Sequence, residues 1–419
     1  MTKPCRLTVV GLGYVGLPLA LEAARAGLRV DGLDQDAGRV AGLVAGRSHV
    51  DDITDGQVAQ ALAVGFVPTT DARCLAFADV VVICVPTPLR DSAPDLDAVK
   101  AASDQISRTM SPGALVILES TSYPGTTSEV LLPMLERDGR RVGREFHLAY
   151  SPERIDPGNP DFSLRNTPKV VGGITQECTD AAVRFYERLT DTVVRVSSPS
   201  VAEMSKLLEN TYRQVNIALV NEMAVFCHEL GIDLWEAIDA AATKPFGFQE
   251  FRPGPGVGGH CIPIDPSYLS HRVRTLGYPF RFVELAQEIN QRMPAFVVDR
   301  VMRLLNEDGL ALKGTRVLLL GVTYKADIAD DRESPSLVVA ERLRALGAEV
   351  TYHDPFVPAW EVAGERLGRV ADLQAALAEA EVTVFLQPHS YYDLDEIAKS
   401  ARRVLDTRGR VVGANVTRL

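Results

Sequence analysis

The sequence has few cysteines, and none of them is arranged as a metal site. Six cysteines are spread over 419 residues, without a CxxC pair or a Cys/His cluster of zinc spacing. A structural zinc site is therefore excluded, and no metal is expected. Isolated thiols of this kind are typical of the reducing cytoplasm, where we expect the protein to act.

Long apolar runs and an excess of positive charge are also missing. No apolar run approaches the roughly 18 residues of a membrane span, and the N-terminus lacks the apolar region of a signal peptide. The net charge of −11 argues against nonspecific nucleic-acid binding, although a locally basic pocket can still bind an anionic small molecule. Because 419 residues exceed what one core holds, we expect a soluble globular chain of two or three domains.

A glycine-rich turn lies between the first apolar strand and the first helical pattern. The strand covers 6–10, the turn reads GLGYVG over 11–16, and the apolar helical pattern covers 17–26. Glycines at these positions permit a tight turn, the approach of a pyrophosphate and close helix packing, while the helix N-terminus attracts phosphate. The candidate cofactor-binding residues here are Gly11, Gly13, Tyr14, Val15 and Gly16.

An acidic residue at the end of the next strand strengthens the dinucleotide interpretation. Asp34 follows the predicted strand Leu28–Leu33 and lies 18 residues after Gly16, close to the spacing of a ribose-binding acid. A carboxylate there accepts from the adenosine 2′-hydroxyl and repels a 2′-phosphate, so we predict NAD rather than NADP. Arg39 leaves phosphate binding open, and Asp36 is expected to cap a turn or helix.

Two further predicted strands end in polar residues. The strand 79–85 is followed by Pro86, Thr87 and Pro88, and the strand 114–118 by Glu119, Ser120 and Thr121. Ligands of an open parallel sheet bind beyond the carboxyl ends of its strands. The residues placed to contact cofactor or substrate, or alternatively to cap turns, are Pro86, Thr87, Ser120 and Thr121.

The stretch 251–268 reads FRPGPGVGGHCIPIDPSY, a run of glycines and prolines that ends at Cys261. A cysteine after such a loop can attack a carbonyl carbon when its thiolate is favoured; the alternative is a buried cysteine after a turn. The loop favours the nucleophile, and Asp265 follows four residues later. The glycines that would let a ligand lie against the main chain are Gly254, Gly256, Gly258 and Gly259.

The middle of the chain holds charged residues in a loop and a long helix. Glu153 and Arg154 lie between two prolines, where either a site or a solvated surface is possible. The pattern Val201–Gly231 predicts one long helix, apolar almost all round and so expected to be buried at a domain or subunit interface. Lys206 and Asn210 share one face of it, and this pair of donors could hold an oxyanion or be structural.

A second strand–glycine pattern begins near residue 312. Its predicted elements are the strand 312–321, the helix 336–346 and the strands 349–353 and 382–386. The predicted fold class is therefore α/β, with two Rossmann-like doubly wound domains joined by a central helical domain that contains a long connecting helix. Lys325 and Arg332, among several acids after the first of these strands, are expected to bind ligand.

Seven motifs, in matching order, make the chain resemble the UDP-glucose/GDP-mannose dehydrogenase family. They are GLGYVGLP, CVPTP, ESTSYPGTT, SPERIDPG, EMSKLLEN, PGPGVGGHCIPIDP and YKADIADDRESP. TKPFGF, over 243–248, and the GGHCIPIDP form of the cysteine loop resemble the members that act on UDP-N-acetylhexosamines. The resemblance favours UDP-N-acetyl-D-glucosamine, with UDP-N-acetylmannosamine or UDP-glucose as alternatives.

The resemblance implies three domains and a four-electron oxidation. The domains are an NAD-binding domain over 1–198, a central helical, dimer-forming domain with the catalytic cysteine over 199–305, and a UDP-sugar-binding domain over 306–419. It implies that the C6 alcohol of the sugar is oxidised to a carboxylate with two NAD consumed. The sugar would pass through an aldehyde, a thiohemiacetal and a thioester that water hydrolyses. A homodimer or higher homo-oligomer is expected.

The same motifs imply roles for individual residues. Cys261 would be the nucleophile, Lys206 and Asn210 would stabilise oxyanions, Asp265 and Thr121 would position water or a proton carrier, and Glu153 would be the acid–base residue of thioester hydrolysis. The substrate contacts would be Glu153, Arg154, Lys206, Asn210, Arg252, the four loop glycines and Lys325, with Arg332 near the cofactor.

Other positions stay open at the level of sequence. Lys244 and Arg252 could reach the sugar nucleotide of a partner subunit, and either Arg403 or Arg408 could contact substrate. His260 could assist its neighbour, although adjacent side chains often point apart. A noncatalytic nucleotide-sugar binder is the remaining alternative, and it would require a missing catalytic residue.

Overall fold

The computed structural model describes residues 5–50, 52–90, 93–156, 159, 161–259 and 261–419, apart from the side chains of Asp138 and Cys261. The chain divides into two compact units. The first comprises Met1–Glu209 and Ser267–Pro279, and the second Asn210–Pro266 and Phe280–Leu419. Within the described ranges, no helix is both long enough and apolar enough to cross a membrane.

The first unit is built on an eight-stranded sheet and a short two-stranded ribbon. Its strands are β1 (Arg6–Val10), β2 (Arg29–Leu33), β3 (Phe66–Thr69), β4 (Val80–Ile83), β5 (Leu89–Arg90), β6 (Ala93–Pro94), β7 (Ala114–Leu118), β8 (Phe146–Tyr150), β9 (Lys169–Gly173) and β10 (Val193–Arg195). The sheet order is β10-β9-β8-β7-β4-β1-β2-β3, and only the β8–β9 pair is antiparallel. The six parallel strands from β3 to β8 follow the order of a dinucleotide-binding fold.

The α-helices in the described part of this unit are α1 (Gly16–Arg25), α2 (Ala37–Val44), α3 (Asp55–Val64), α4 (Asp97–Thr109), α5 (Leu132–Leu135) and α6 (Gln176–Tyr186). The neighbouring strands β4 and β7 are apolar and buried at every position, as expected where both faces of a sheet are covered. Leu7 and Val9 belong to one buried cluster, while Val10 belongs to another, since alternate residues of a strand face opposite sides.

The helical middle of the chain contains α7 (Pro199–Leu230), α8 (Leu234–Ala242), α9 (Cys261–Thr275) and α10 (Arg281–Glu307). The long helix predicted over Val201–Gly231 is α7. A stripe of its apolar side chains is exposed in the single chain, so the prediction that this helix is buried at a domain or subunit interface stays a prediction. The exposed members are Val201, Met204, Leu208, Tyr212, Leu219, Val225, Phe226 and Leu230.

The second unit contains the remaining elements: β11 (Arg316–Leu320), α11 (Pro335–Ala345), β12 (Glu349–His353), β13 (Ala359–Val362), β14 (Glu365–Gly368), α12 (Leu373–Glu379), β15 (Val382–Phe385), α13 (Leu394–Ser400), β16 (Val404–Asp406) and β17 (Val416–Arg418). The sheet order β12-β11-β15-β16-β17 is parallel throughout. Two Rossmann-like sheets with long helices between them in sequence confirm the predicted fold class.

The two sheets begin with the same local structure. In the first, Leu12 donates its backbone N–H to Asp34 Oδ2 at 2.8 Å. In the second, Val322 donates to Asp354 Oδ2 at 2.7 Å. Asp354 also accepts from His389 Nε2 at 2.9 Å, which lowers the pKa of that carboxyl against the effect of burial. The Asp354 carboxylate thus makes structural hydrogen bonds within its own domain.

Candidate active site

The glycine turn after β1 leaves space on one side and none on the other. Gly11 has a φ of +93°, and a Cβ there would lie 2.8 Å from the carbonyl oxygen of Cys84, at the end of β4. A Cβ on Gly16 would overlap the carbonyl of Gly11, whereas a Cβ on Gly13 would have no neighbour within 4 Å. Two glycines therefore close the strand–helix packing, and Gly13 borders open space at the N-terminus of α1, which fits a pyrophosphate.

Asp34 lies beside this turn, and its carboxylate faces the guanidinium of Arg39. The carboxylate is only 5% exposed, and Oδ1 accepts from the backbone of Asp36 at 2.9 Å. Arg39 Nη1 pairs with Oδ2 at 2.9 Å. Asp36 caps α2, as predicted, by accepting from Gly38 and Arg39. A buried carboxylate with a half-exposed arginine beside it fits a ribose diol better than a 2′-phosphate.

The residues after β4 and β7 that border the candidate site also take part in hydrogen bonds that fix the backbone there. Ser120 Oγ donates to the carbonyl of Val85 at 2.7 Å, which ties the ends of the two strands together. Tyr268, on α9, donates its hydroxyl to the carbonyl of Thr87. Pro86 is exposed and Thr87 half-buried.

Lys206 and Thr121 form a direct contact in the first unit. Lys206 Nζ donates to Thr121 Oγ1 at 2.8 Å, and the lysine is 7% exposed. The adjacent loop is held by Glu203, one turn earlier on α7, which accepts from Gly125 N at 2.7 Å and from Thr127 N at 2.8 Å. Burial raises the pKa of the Glu203 carboxyl although these hydrogen bonds oppose it. The helix therefore fixes the loop that carries Thr121.

Glu153 is buried rather than solvated, which removes the surface alternative for this loop residue. It is 8% exposed, and Oε1 accepts from the backbone of Arg154 at 2.7 Å and of Ile155 at 2.5 Å. Oε2 lies 3.4 Å from Lys169 Nζ. Burial alone would raise the pKa of Glu153, but the charges of Lys169 and Lys206 and the backbone donors lower it. A carboxylate is the favoured form.

The neighbouring Arg154 is fixed by the chain itself. Its guanidinium pairs with Glu209 at 2.8 Å and donates to the carbonyl of Pro168 at 2.7 Å. Its cationic side chain therefore lies next to Glu153 in a defined position rather than in solvent.

The candidate cysteine is the first residue of α9. His260 and the side chain of Cys261 lie outside the described part of the chain. A helix N-terminus stabilises a thiolate by its partial positive charge. Asp265, one turn into α9, is 4% exposed and accepts from Asn210 Nδ2 at 2.6 Å. Asn210 and Asp265, predicted separately as site residues, are thus brought together in the second unit.

The glycines before the cysteine pack against the chain's own residues. A Cβ on Gly259 would lie 2.7 Å from the ring of Tyr324, and one on Gly258 would lie 2.6 Å from the carbonyl oxygen of Glu333. Gly256 has a φ of +133°. Close packing on the loop between β11 and α11 accounts for these glycines in addition to the expected approach of a ligand.

Of the two C-terminal arginines, only Arg408 lies by this loop. A Cβ on Gly254 would come within 2.8 Å of Arg408 Nη1. Burial lowers the pKa of Arg408 to about 10, so it is a cation at neutral pH. Among the described residues its guanidinium makes no salt bridge, although the nearby charge of Asp406, which accepts from the backbone N–H of Arg408 at 2.8 Å, partly offsets the effect of burial, and its Nε donates to the carbonyl of Leu386 at 2.7 Å. Arg403 instead pairs with Asp308 at 2.6 Å at the surface.

The other basic residues that were predicted to bind ligand make contacts with groups of the chain itself. Arg332 makes two hydrogen bonds to Asp330, at 2.7 and 2.6 Å. Arg252 pairs with Asp239 and Glu250, and its cation lies 5.8 Å from the ring of Trp235. Lys244 is exposed, 4.9 Å from the ring of Phe246, and the backbone carbonyl of Lys325 accepts from Thr323 Oγ1 at 2.7 Å.

Sequence reasoning missed the buried charges beneath Glu153. Lys169 Nζ lies 3.0 Å from Glu119 Oε1, and the hydroxyl of Tyr186 donates to the same carboxylate. A lysine at the start of the otherwise apolar strand KVVGG was the available signal, since buried lysines need a partner.

Three matches to known domains cover most of the chain. Residues 5–190 match the NAD binding domain of the UDP-glucose/GDP-mannose dehydrogenase family, residues 200–292 its central domain and residues 318–413 its UDP binding domain. The chain belongs to the UDP-glucose/GDP-mannose dehydrogenase family. The predicted family and the NAD cofactor are confirmed.

Named relatives of this family are similar over most of their length. A UDP-N-acetyl-D-glucosamine 6-dehydrogenase of Pseudomonas aeruginosa is 37% identical over 360 residues, covering 85% of the chain and 84% of that protein. The structure of a UDP-D-ManNAc dehydrogenase from Pyrococcus horikoshii has a TM-score of 0.89 at 33% identity, covering 99% and 98% of the two chains. That of the UDP-N-acetyl-mannosamine dehydrogenase Cap5O from Staphylococcus aureus has a TM-score of 0.84 at 32% identity, covering 99% and 97%.

As a member of the UDP-glucose/GDP-mannose dehydrogenase family, the chain is an NAD-dependent UDP-sugar 6-dehydrogenase. The described residues contain no cluster of His, Cys, Asp and Glu that could hold a metal ion.

Proposed function

We propose that the chain oxidises the C6 alcohol of UDP-N-acetyl-D-glucosamine to the uronic acid through a thiohemiacetal and a thioester on Cys261. The observation that carries the reaction is one turn of α7. Lys206 donates a hydrogen bond to Thr121, and Asn210, four residues later, donates one to Asp265. The preference for this sugar is supported by the 37% identity to the Pseudomonas aeruginosa enzyme named for it.

In this proposal Cys261 is the nucleophile. The start of α9 favours its thiolate, which adds to the carbonyl carbon of the aldehyde formed from the alcohol. Lys206 and Asn210 donate hydrogen bonds to the oxygen that becomes negative. Such charge-assisted donors act most strongly where water is excluded, and both side chains are buried.

The thioester is then hydrolysed with Glu153 as the base. Glu153 takes a proton from water, the water oxygen bonds to the thioester carbon, and the C–S bond breaks to restore the Cys261 thiolate. Thr121 and Asp265 orient the water or relay its proton. NAD, when bound, accepts a hydride in each of the two oxidations, so one sugar and one water yield two NADH.

The remaining candidates divide between cofactor and substrate. We propose that NAD is held by the glycine turn, Asp34 and the strand-end residues, and that the sugar nucleotide is held by the cysteine loop and nearby cations. We prefer Arg408 to Arg403 because Arg408 lies against Gly254 and its guanidinium makes no salt bridge among the described residues, whereas the guanidinium of Arg403 is paired with Asp308. The proposed cofactor contacts are Gly11, Gly13, Tyr14, Val15, Gly16, Asp34, Arg39, Pro86, Thr87, Ser120, Thr121 and Arg332; the proposed substrate contacts are Glu153, Arg154, Lys206, Asn210, Lys244, Arg252, Gly254, Gly256, Gly258, Gly259, Lys325 and Arg408.

We also propose that the chain forms a homodimer through the exposed apolar stripe of α7. Leu208 is 61% and Leu219 54% exposed in the single chain. Contiguous exposed apolar side chains on a long helix are typical of a surface that another subunit covers.

A substrate panel tests the sugar. The purified protein is given NAD with UDP-N-acetylglucosamine, UDP-N-acetylmannosamine, UDP-glucose or GDP-mannose at one pH, and NADH absorbance is followed. The proposal expects the highest kcat/KM for UDP-N-acetylglucosamine. A higher value for UDP-N-acetylmannosamine, the sugar in the name of the Pyrococcus horikoshii structure, would change the epimer and keep the chemistry. Binding of UDP-sugars without NADH from any of them would indicate a noncatalytic binder.

A further inference from the structure

Four buried side chains form a connected cluster beneath Glu153. Lys169 Nζ lies 3.0 Å from Glu119 Oε1 and 3.4 Å from Glu153 Oε2. Tyr186 donates its hydroxyl to Glu119, and its ring centroid lies 5.3 Å from Lys169 Nζ. The exposure of all four residues is 8% or less. One ammonium group is therefore shared by two carboxyl groups away from solvent.

The groups that face this cluster come from every element around it. Lys169 begins β9, Glu119 follows β7, Glu153 follows β8 and Tyr186 ends α6. The other titratable neighbours are Cys84, after β4, and Lys206, on α7. Burial raises the pKa values of Cys84 and Tyr186 well above their usual range, so both stay protonated and neutral.

The two carboxyl groups are not equivalent. Glu153 accepts from two backbone N–H groups in addition to Lys169, and the charge of Lys206 acts on it as well. Glu119 accepts from Tyr186 and Lys169 through Oε1, but its buried Oε2 has no partner among the described residues. Lys169 is the ammonium within ion-pair distance of both carboxyl groups, whereas Lys206 Nζ contacts Thr121 and acts on Glu153 from farther away. Ionisation of both buried carboxyl groups would therefore be poorly compensated, which is costly. Glu119 is the one placed to carry a proton, on Oε2, and burial raises its pKa.

We propose that Lys169 and Glu119 are positioning residues that set the ionisation of Glu153: Glu119 holds a proton, and the Lys169 ammonium keeps Glu153 as the carboxylate that deprotonates water. The deprotonation of water by the Glu153 carboxylate rests on the proposed role of Glu153 in thioester hydrolysis. The ionisation of the cluster itself does not, because it belongs to the ligand-free protein.

Thermal unfolding without ligand tests the ionisation. In Lys169→Met, Glu153 is buried without its ammonium partner, so its folded-state pKa rises above the unfolded value. Its stabilising contribution is then present at low pH and lost as pH rises. The Tm difference between wild type and Lys169→Met should widen from pH 5 to pH 8. A difference that stays constant over this range would make Lys169 a packing residue only and overturn the proposal.

A double variant keeps the test informative if Lys169→Met folds poorly. Lys169→Met combined with Glu153→Gln removes both charges, so it should have a higher Tm at pH 8 than Lys169→Met alone, since an unpaired buried charge is worse than none. A lower Tm for the double variant would contradict the pairing. Glu119→Gln mimics a protonated carboxyl, so its Tm should follow that of wild type across the same pH range.

The pH profile of turnover connects the cluster to catalysis. Under single-turnover conditions, the acid limb of thioester hydrolysis should move to higher pH by about one unit or more in Lys169→Met and stay in place in Glu119→Gln. A shift of the acid limb to lower pH in Glu119→Gln would show that Glu119 is ionised in wild type, because loss of a neighbouring negative charge lowers the pKa of Glu153, and it would overturn the assignment of the proton. If wild type oxidises no UDP-sugar, the proposed function fails, while the unfolding data still decide the ionisation.

Discussion

We propose that the Asp34 carboxylate has both a structural role and a role in binding the cofactor ribose. Its Oδ2 accepts from Leu12 inside the glycine turn at 2.8 Å and pairs with Arg39 at 2.9 Å. Asp354 makes the same structural hydrogen bond in the second sheet, but its other contact is the buried His389. Because Arg39 is partly exposed, whereas His389 is buried, we expect Asp34 rather than Asp354 to accept from a ribose.

Replacing Asp34 by Asn tests this binding role. Asn keeps an acceptor for Leu12 but removes the charge, and a hydrogen bond to a charged group contributes about 1.5–3 kcal/mol. We expect the KM for NAD to rise about tenfold or more, with weaker discrimination against NADP. Steady-state kinetics with each cofactor measure both effects.

Asp36 provides the matched control two residues away. Asn is as good an N-cap as Asp, so Asp36→Asn should retain the start of α2 and leave both cofactor KM values unchanged. An unchanged KM for NAD in Asp34→Asn would rule out the ribose contact.

At the scale of elements, the glycine turn after β1 separates packing from binding within six residues. Gly16 packs against the Gly11 carbonyl, whereas Gly13 faces open space and has no positive φ. The same spacing in sequence therefore serves two different physical requirements.

Alanine at these two positions should have opposite consequences. Gly16→Ala overlaps backbone and should lower the Tm by several degrees, because a well-packed turn cannot absorb a methyl group cheaply. Gly13→Ala should leave the Tm near wild type and raise the KM for NAD about tenfold or more, because its methyl group takes the space of the pyrophosphate. The measurements are thermal unfolding of both ligand-free variants and NAD kinetics of Gly13→Ala. A lowered Tm together with normal NAD binding in Gly13→Ala would contradict the open space found beside Gly13.

Elements with a strong local pattern could be predicted from sequence. The strands β7 and β12 have the predicted bounds, and α7 and α11 begin within two residues of expectation. The cap of α2 by Asp36 follows from a polar residue just before a helical pattern. These features depend on neighbours in sequence.

Contacts between distant residues could not be predicted in this way. Lys169 meets Glu119 across 50 positions of the chain, and nothing in either local pattern specifies the other. The choice between Arg403 and Arg408 likewise depended on which one lies beside Gly254. The pattern of α7 left both a domain and a subunit interface open, because an apolar pattern does not say whether the surface that covers it belongs to the same chain.

At the scale of the whole molecule, the stripe on α7 bears on assembly. Leu208→Glu places a charge in the middle of the proposed interface, where an unpaired buried charge opposes association. We expect wild type at twice the chain mass by light scattering after size-exclusion chromatography, and the variant to shift toward the chain mass. Leu346→Glu, exposed at the end of α11, should have no effect. A monomeric wild type would exclude the dimer.

The stoichiometry of NADH tests the central claim most directly. Purified protein with excess NAD and a limiting amount of UDP-N-acetylglucosamine, or of the best sugar in the panel, is run to completion, and NADH and products are quantified. We expect two NADH per sugar, a uronic acid product, and loss of net oxidation to the acid in Cys261→Ser. One NADH per sugar with the aldehyde as the final product would contradict it.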